Sequence, residues 1–215
     1  MAEPNTDPPR RRGRPPKSEA GDTKAALERA ALDLFAKHGY AGTSIRAVAR
    51  AVGLSESVLY AHFPSKRALF EAALARLGPH GAAIVMDDLS PAPVANDPAG
   101  YVRALITQLM ELWDTADARL FMSLMARDGM AHDPSVTGAI EGSVHRLAEV
   151  IEGWEAGGHV RAGLGTADEL AYALLAPVGQ SRFLWLHNDA TPEQRRAAVD
   201  RALRHAEFFI RTVLR

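Results

Sequence analysis

The chain has 215 residues, with 25 Lys and Arg against 26 Asp and Glu, a net charge of -1, 47% hydrophobic residues and no cysteine. That length holds a small head and a larger body, and the lack of cysteine excludes disulfides, zinc-thiolate sites and a thiol redox sensor. No run approaches the roughly 18 apolar residues of a membrane span, so a soluble, cytoplasmic protein without a membrane partner is expected. The balanced total hides an asymmetry: residues 1–77 hold 13 Lys and Arg against 8 Asp and Glu, and residues 78–215 hold 12 against 18. A basic head on an acidic body suits a protein that presents one end to DNA.

The first segment, 1–21, reads as a disordered basic arm. Its run P-P-R-R-R-G-R-P-P-K, Pro8 to Lys17, has five basic residues, no acid and too little apolar content to fold. Arg12-Gly13-Arg14-Pro15 resembles an AT-hook, whose arginines enter a narrow A·T-rich minor groove. The plainer reading is a basic tail that adds only counterion release. No apolar stretch follows the arginines, as a secretory signal would require.

Residues 22–77 read as a helical head. Leu27, Ala30, Ala31, Leu34 and Phe35 fall at helical spacing over Thr23 to His38, and Gly39 closes that helix. Ile45, Val48, Ala49 and Val52 form the next apolar face, opened by Thr43 and Ser44 as capping residues and ended by Gly53. Leu54 plugs the turn, Ser55 caps a short helix from Glu56 to His62 that is expected to bury Val58 and Leu59, and Ser65 caps a fourth helix after Pro64. This is helix-turn-helix spacing, in which the second helix enters the major groove. On that geometry Ser55, Glu56, Ser57, Tyr60 and His62 face DNA.

The run A-A-L-D-L-F-A-K-H-G-Y-A-G-T-S-I-R-A-V-A-R-A-V-G-L-S-E-S-V-L-Y-A-H-F-P-S-K-R-A-L-F resembles the DNA-binding domain of the TetR family of bacterial transcriptional regulators. The matching positions include Phe35, Gly39, Thr43, Ala49, Gly53, Ser55, Leu59, Tyr60, Phe63, Ser65, Lys66 and Leu69. The resemblance implies phosphate contacts from Thr43, Ser44 and Arg46, a backbone or thymine-methyl contact from Tyr60, and a phosphate contact from Lys66. The chain departs from the pattern after Ser55, where Glu56 and Ser57 replace the frequent basic residue and glycine. Glu56 is then either turned away as a first-turn helix charge or accepts from a cytosine amino group.

Residues 78–215 read as a helical ligand-binding and dimerisation domain. Gly78-Pro79, Ser90-Pro91-Ala92-Pro93 and Asn96-Asp97-Pro98 mark a connector without a helix. Helices are expected at about 98–115, 117–130, 134–157, 166–188 and 192–214. Their starts carry Asp-Pro pairs at Asp97 and Asp133 and capping boxes at Thr166 and Thr191. No segment alternates with period two for long enough to argue a strand, so the fold class is all-α.

The segment from Leu170 to Trp185 is apolar almost all round and needs cover on every side. The resemblance implies that the last two helices, about 166–214, form a homodimer interface. It also implies a ligand pocket among the middle helices, where Trp113, Phe121, Met125, Trp154, Gln180, Arg182 and Phe183 are candidates. An arginine there suggests an anionic or carbonyl-bearing ligand.

Catalysis has little support. No H-E-x-x-H, no G-x-S-x-G and no phosphate loop occurs, and neither metal nor cofactor is expected. The expectation is a dimeric regulator, most simply a repressor that binds a palindromic operator and is released by a small-molecule effector. Two alternatives stand beside it: a ligand or protein receptor with a weakened head, and an A/T-preferring DNA-binding protein acting through its arm.

Overall fold

The computed structural model describes residues 17–77, 80–89 and 97–215. Within them the chain forms α1 (Lys17–Gly42), α2 (Ile45–Ala51), α3 (Glu56–His62), α4 (Lys66–Leu77), α5 (His80–Asp88), α6 (Pro98–Trp113), α7 (Ala116–Arg127), α8 (Pro134–Ala156), α9 (Ala167–Trp185) and α10 (Pro192–Val213). A single 3-10 turn, Met130–His132, joins α7 to α8. The only β pairing among the described residues is an isolated bridge between Val160 and Leu214. The expected all-α class is what the chain adopts.

Local chemistry accounts for the helix starts. Ser44, Ser55, Asp97, Thr115, Asp133, Thr166 and Thr191 each accept a backbone N–H of the following turn. Thr166 with Glu169 and Thr191 with Gln194 complete reciprocal capping boxes. Gly39, at φ 80° and ψ 163°, breaks the helical path of α1 near its C-terminal end. Only glycine adopts that conformation without strain.

Three expectations need correcting. The connector after α4 contains a helix, α5, in which Ala82, Val85 and Met86 are buried. Their spacing is helical, but the surrounding glycines and prolines mask it. Helix α1 starts at Lys17 and not at Thr23, so residues 17–21 belong to a helix and not to an arm; Ser18, Glu19 and Ala20 extend it at little cost. Helix α7 stops at Arg127 because Gly129 turns left-handed, at φ 64°, before the 3-10 turn.

Two apolar clusters form. One, in the body, joins α5, α6, α8, α9 and α10 around Leu105, Ile106, Leu109, Leu147, Ile151, Trp154 and Leu174. The other lies under the head and combines Leu27, Phe35, Val48, Leu59, Leu69 and Phe70 with Phe121, Leu124, Met125 and Val136. The head core therefore continues across residue 77 into α7 and the start of α8. Rings connect the same region: Phe35 and Phe70 each lie near Tyr40, with centroids 5.4 Å away, and Phe121 stacks on Phe70 at 6.0 Å.

Candidate nucleic-acid interface and ligand cavity

The turn between α2 and α3 is built as its sequence suggests. Gly53 takes φ 71°, and the Leu54 N–H bonds the Ala49 carbonyl at 2.9 Å, closing α2. Ser55 then caps α3 by accepting from Val58 N–H at 3.4 Å, and its hydroxyl also meets that of Ser57 at 2.8 Å. Helix α3 buries Leu59 completely against the head core and turns the rest outward. Ser55, Glu56, Ser57 and Tyr60 are exposed, Tyr60 by 49%. His62, in the last turn, is half-buried. Val58, expected inside, is 37% exposed, because a seven-residue helix packs a face only wide enough for Leu59.

From α2 the exposed Ser44 and Arg46 join the same surface. Arg46 stands 3.8 Å from the Glu56 carboxylate, both side chains being largely exposed. The acid in the first turn of α3 thus lies beside a cation, which offsets the charge it presents to phosphates.

Two residues that the resemblance assigned to phosphate have internal work. Thr43 is buried, and its hydroxyl donates to the Gly39 carbonyl at 2.8 Å. The Lys66 ammonium donates to the carbonyls of Tyr40 and Thr43 at 2.8 and 3.0 Å and lies over the Tyr40 ring at 4.5 Å from its centroid. Burial raises the Tyr40 phenol above its ordinary value. Together Thr43 and Lys66 staple the turn that aims α2. Arg12 and Arg14 lie outside the described residues.

Charged side chains of the body hold the head at two places that sequence reading missed. The Asp128 carboxylate accepts the Tyr40 N–H just after Gly39, and Arg127 donates to the Phe35 and Ala36 carbonyls at the end of the helical part of α1. On the other side of the 3-10 turn, Arg67 of α4 donates two bonds to the Asp133 carboxylate, at 2.6 and 2.7 Å, and one to Ser135 at 2.8 Å. That arginine holds the Asp133 carboxyl well below the usual carboxylate range, and Arg67 is in turn raised, first by Asp133 and then by Glu71. The acid-proline signal at Asp133 was legible as a helix start, but its partner lies 66 residues away.

A cavity of about 350 Å³ opens between α7, α8 and α9. Of the sequence candidates, Trp113, Phe121, Met125, Arg182 and Phe183 line it, together with Met122, Val136, Ile140, Ser143, Tyr172 and Gly179. Two candidates do not reach it. Gln180 is exposed elsewhere on α9, and Trp154 is buried in the body core beside Tyr101 at 5.6 Å. Helical geometry explains Gln180, since Gly179, Arg182 and Phe183, spaced by three and four, share the cavity face and the residue next to Gly179 turns away. Arg182 is buried, its guanidinium 4.7 Å from the Trp113 ring centroid, and burial pushes its pKa down to about 9.

The described residues thus form a helix-turn-helix head fused to a helical body with an apolar cavity. Comparison with known proteins makes the class specific. The signature described as bacterial regulatory proteins, tetR family, matches residues 28–73. The HTH-type transcriptional regulator RutR of Escherichia coli (strain K12) is 29% identical over 136 residues, a segment spanning 61% of this chain and 61% of RutR. The HTH-type transcriptional repressor ComR of the same organism is 43% identical over 65 residues, 30% of this chain and 29% of ComR. Among solved structures, SmeT, the repressor of the Stenotrophomonas maltophilia multidrug efflux pump SmeDEF, shares the fold with a TM-score of 0.68 at 18% identity, over 92% of this chain and 93% of SmeT. Over residues 28–73 the chain carries the DNA-binding signature of the TetR family, and over nearly its whole length it shares the fold of solved TetR-type regulators. No helix among the described residues is long and apolar enough to cross a membrane.

Proposed function

We propose that this protein is a cytoplasmic DNA-binding transcriptional regulator that acts as a homodimer on a palindromic operator and is released by a small-molecule effector. The observation that carries this reading is the outward face of α2 and α3, where Ser44, Arg46, Ser55, Ser57, Val58 and Tyr60 stand on a core fixed by Leu59 and Phe63. Ser44 and Arg46 suit phosphates, and the α3 residues suit base edges and thymine methyls. His62, Thr43 and Lys66 have a secondary place: His62 at the rim, the other two as supports of the presenting turn. The arm, through Arg12 and Arg14, adds affinity. A repressor is favoured because ComR, 43% identical over 65 residues, is named as one.

Exposed apolar residues on the last two helices favour pairing of two copies. The stripe of Ala198, Ala202, Ala206, Phe209 and Val213 on α10 is spent on the chain's own core, while Leu184 and Phe208 remain 45% and 56% exposed. Two heads then read half-sites about 34–36 Å apart. The cavity is the effector site, and its walls reach the head. Phe121, Met125 and Val136 belong both to the cavity and to the head core, and Phe121 stacks on Phe70 of α4. Movement of α7 against α8 shifts both charged contacts to the head. A coupling of about 1–3 kcal/mol is enough to alter operator affinity 5- to 150-fold.

The test is Tyr60→Ala with operator affinity and melting measured together. Affinity falls roughly tenfold, about 1.4 kcal/mol, with melting unchanged. Unchanged affinity in a folded variant sinks the assignment of this face to DNA.

A further inference from the structure

The cavity is apolar except at one place. Of its lining, Trp113, Phe121, Met122, Met125, Val136 and Phe183 are typical, and the one charged group among the described residues is Arg182. The polar remainder is small: the Ser143 hydroxyl donates to the Ala139 carbonyl at 2.9 Å, and Tyr172 is 62% exposed. Depth orders these groups. Trp113, Phe121, Ser143 and Arg182 are buried, whereas Ile140, Tyr172 and Phe183 are 46%, 62% and 50% exposed and form the rim. The cation therefore sits at the inner end and the apolar surface at the entrance.

We propose that the ligand of this cavity is a compact apolar carboxylate, seated with its carboxylate inward on Arg182 and its hydrocarbon or aromatic body between Phe121, Met125 and the rim. This rests on the regulator reading only for calling that ligand an effector. A guanidinium carries its N–H donors in a planar fork that matches a carboxylate, a geometry an ammonium lacks. The Trp113 ring, 4.7 Å below, holds the fork's plane. Burial already works against the charge of Arg182, and an anion brought into the same apolar surroundings recovers part of that cost. A neutral ligand brings no such charge attraction, and a cation is repelled. The volume of about 350 Å³ suits a bicyclic aromatic acid or a medium-chain fatty acid.

Matched pairs separate charge from shape: 2-naphthoate with 2-naphthamide, 4-phenylbutyrate with 4-phenylbutyramide, and octanoate with octanamide. Calorimetric titration of the full chain at neutral pH, without DNA, reads each affinity directly. At least one carboxylate is expected to bind about tenfold or more tightly than its amide. In Arg182→Met that preference falls to roughly twofold or less while the amide still binds, and in Arg182→Lys it is intermediate. The proposal is overturned if no carboxylate in wild type outbinds its amide, a comparison that needs no variant, or if the preference survives in Arg182→Met. DNA is absent from the assay, so the two readings fail separately. A carboxylate that binds as expected but does not release operator sinks the effector reading and leaves this one intact.

Discussion

Lys66 donates to two carbonyls at the junction of α1 and α2, and that single ammonium, with Thr43, fixes where the DNA-facing surface points. Lys66→Met keeps the stem but strips both carbonyls of their donor. Melting should drop by the equivalent of about 1–2 kcal/mol, with operator affinity falling in step. Affinity loss without any change in melting would instead assign Lys66 directly to phosphate. Tyr60→Ala, by contrast, is expected to lower operator affinity with melting unchanged. At this scale the residue types were legible and their partners were not. Gly39, Ser44, Gly53 and Ser55 answer local backbone needs within a few residues and act as their sequence suggests. The internal bonds of Lys66 and Thr43 and the exposure of Val58 were not legible, because their surroundings depend on how α1, α3 and α4 pack, which local spacing does not specify.

At the level of elements, the decisive unit is α7, the 3-10 turn and α8. Each helix forms a wall of the cavity and ends in charge against the head, Arg127 and Asp128 on α1 and Asp133 on Arg67 of α4. The Asp133 carboxyl is depressed in the folded state, chiefly by Arg67. A depressed carboxyl contributes stability above its unfolded pKa, near 3.9, and loses that contribution as pH falls through the folded value. Asp133→Asn keeps a capping oxygen but removes the charge and one of the two oxygens that accept from Arg67. It should melt below wild type at pH 7 by about 1 kcal/mol, with the gap closing as pH falls below about 4. A gap that persists or widens in acid would contradict the ion pair as its cause. Helix starts marked by Asp-Pro pairs or capping boxes were readable within a residue or two, because capping is local chemistry. Helix α5 was not, since Gly78, Pro79 and Gly81 around its start and the prolines after it resemble a connector.

For the whole molecule, the two apolar clusters divide between the body and a region shared by the head and α7. Cavity wall residues that also belong to the head core are the route by which, on the proposed reading, a ligand and DNA would compete for one conformational equilibrium. The basic head, the acidic body and the head's sequence match made this division legible early. Its seam was not, because the contacts across residue 77 join segments far apart in the chain. In the proposed homodimer, exposed Leu184 and Phe208 would lie on the face that meets a second copy, and two copies would bring two heads. The central claim is that those heads read sequence together. Selection of bound genomic fragments at near-physiological salt, by the full chain and by a version lacking residues 1–16, tests it most directly. The account predicts one palindromic motif recovered by both, with half-sites one helical turn or a multiple apart. Enrichment by the full chain alone, of DNA that is merely A·T-rich, would make the arm the binder and contradict it.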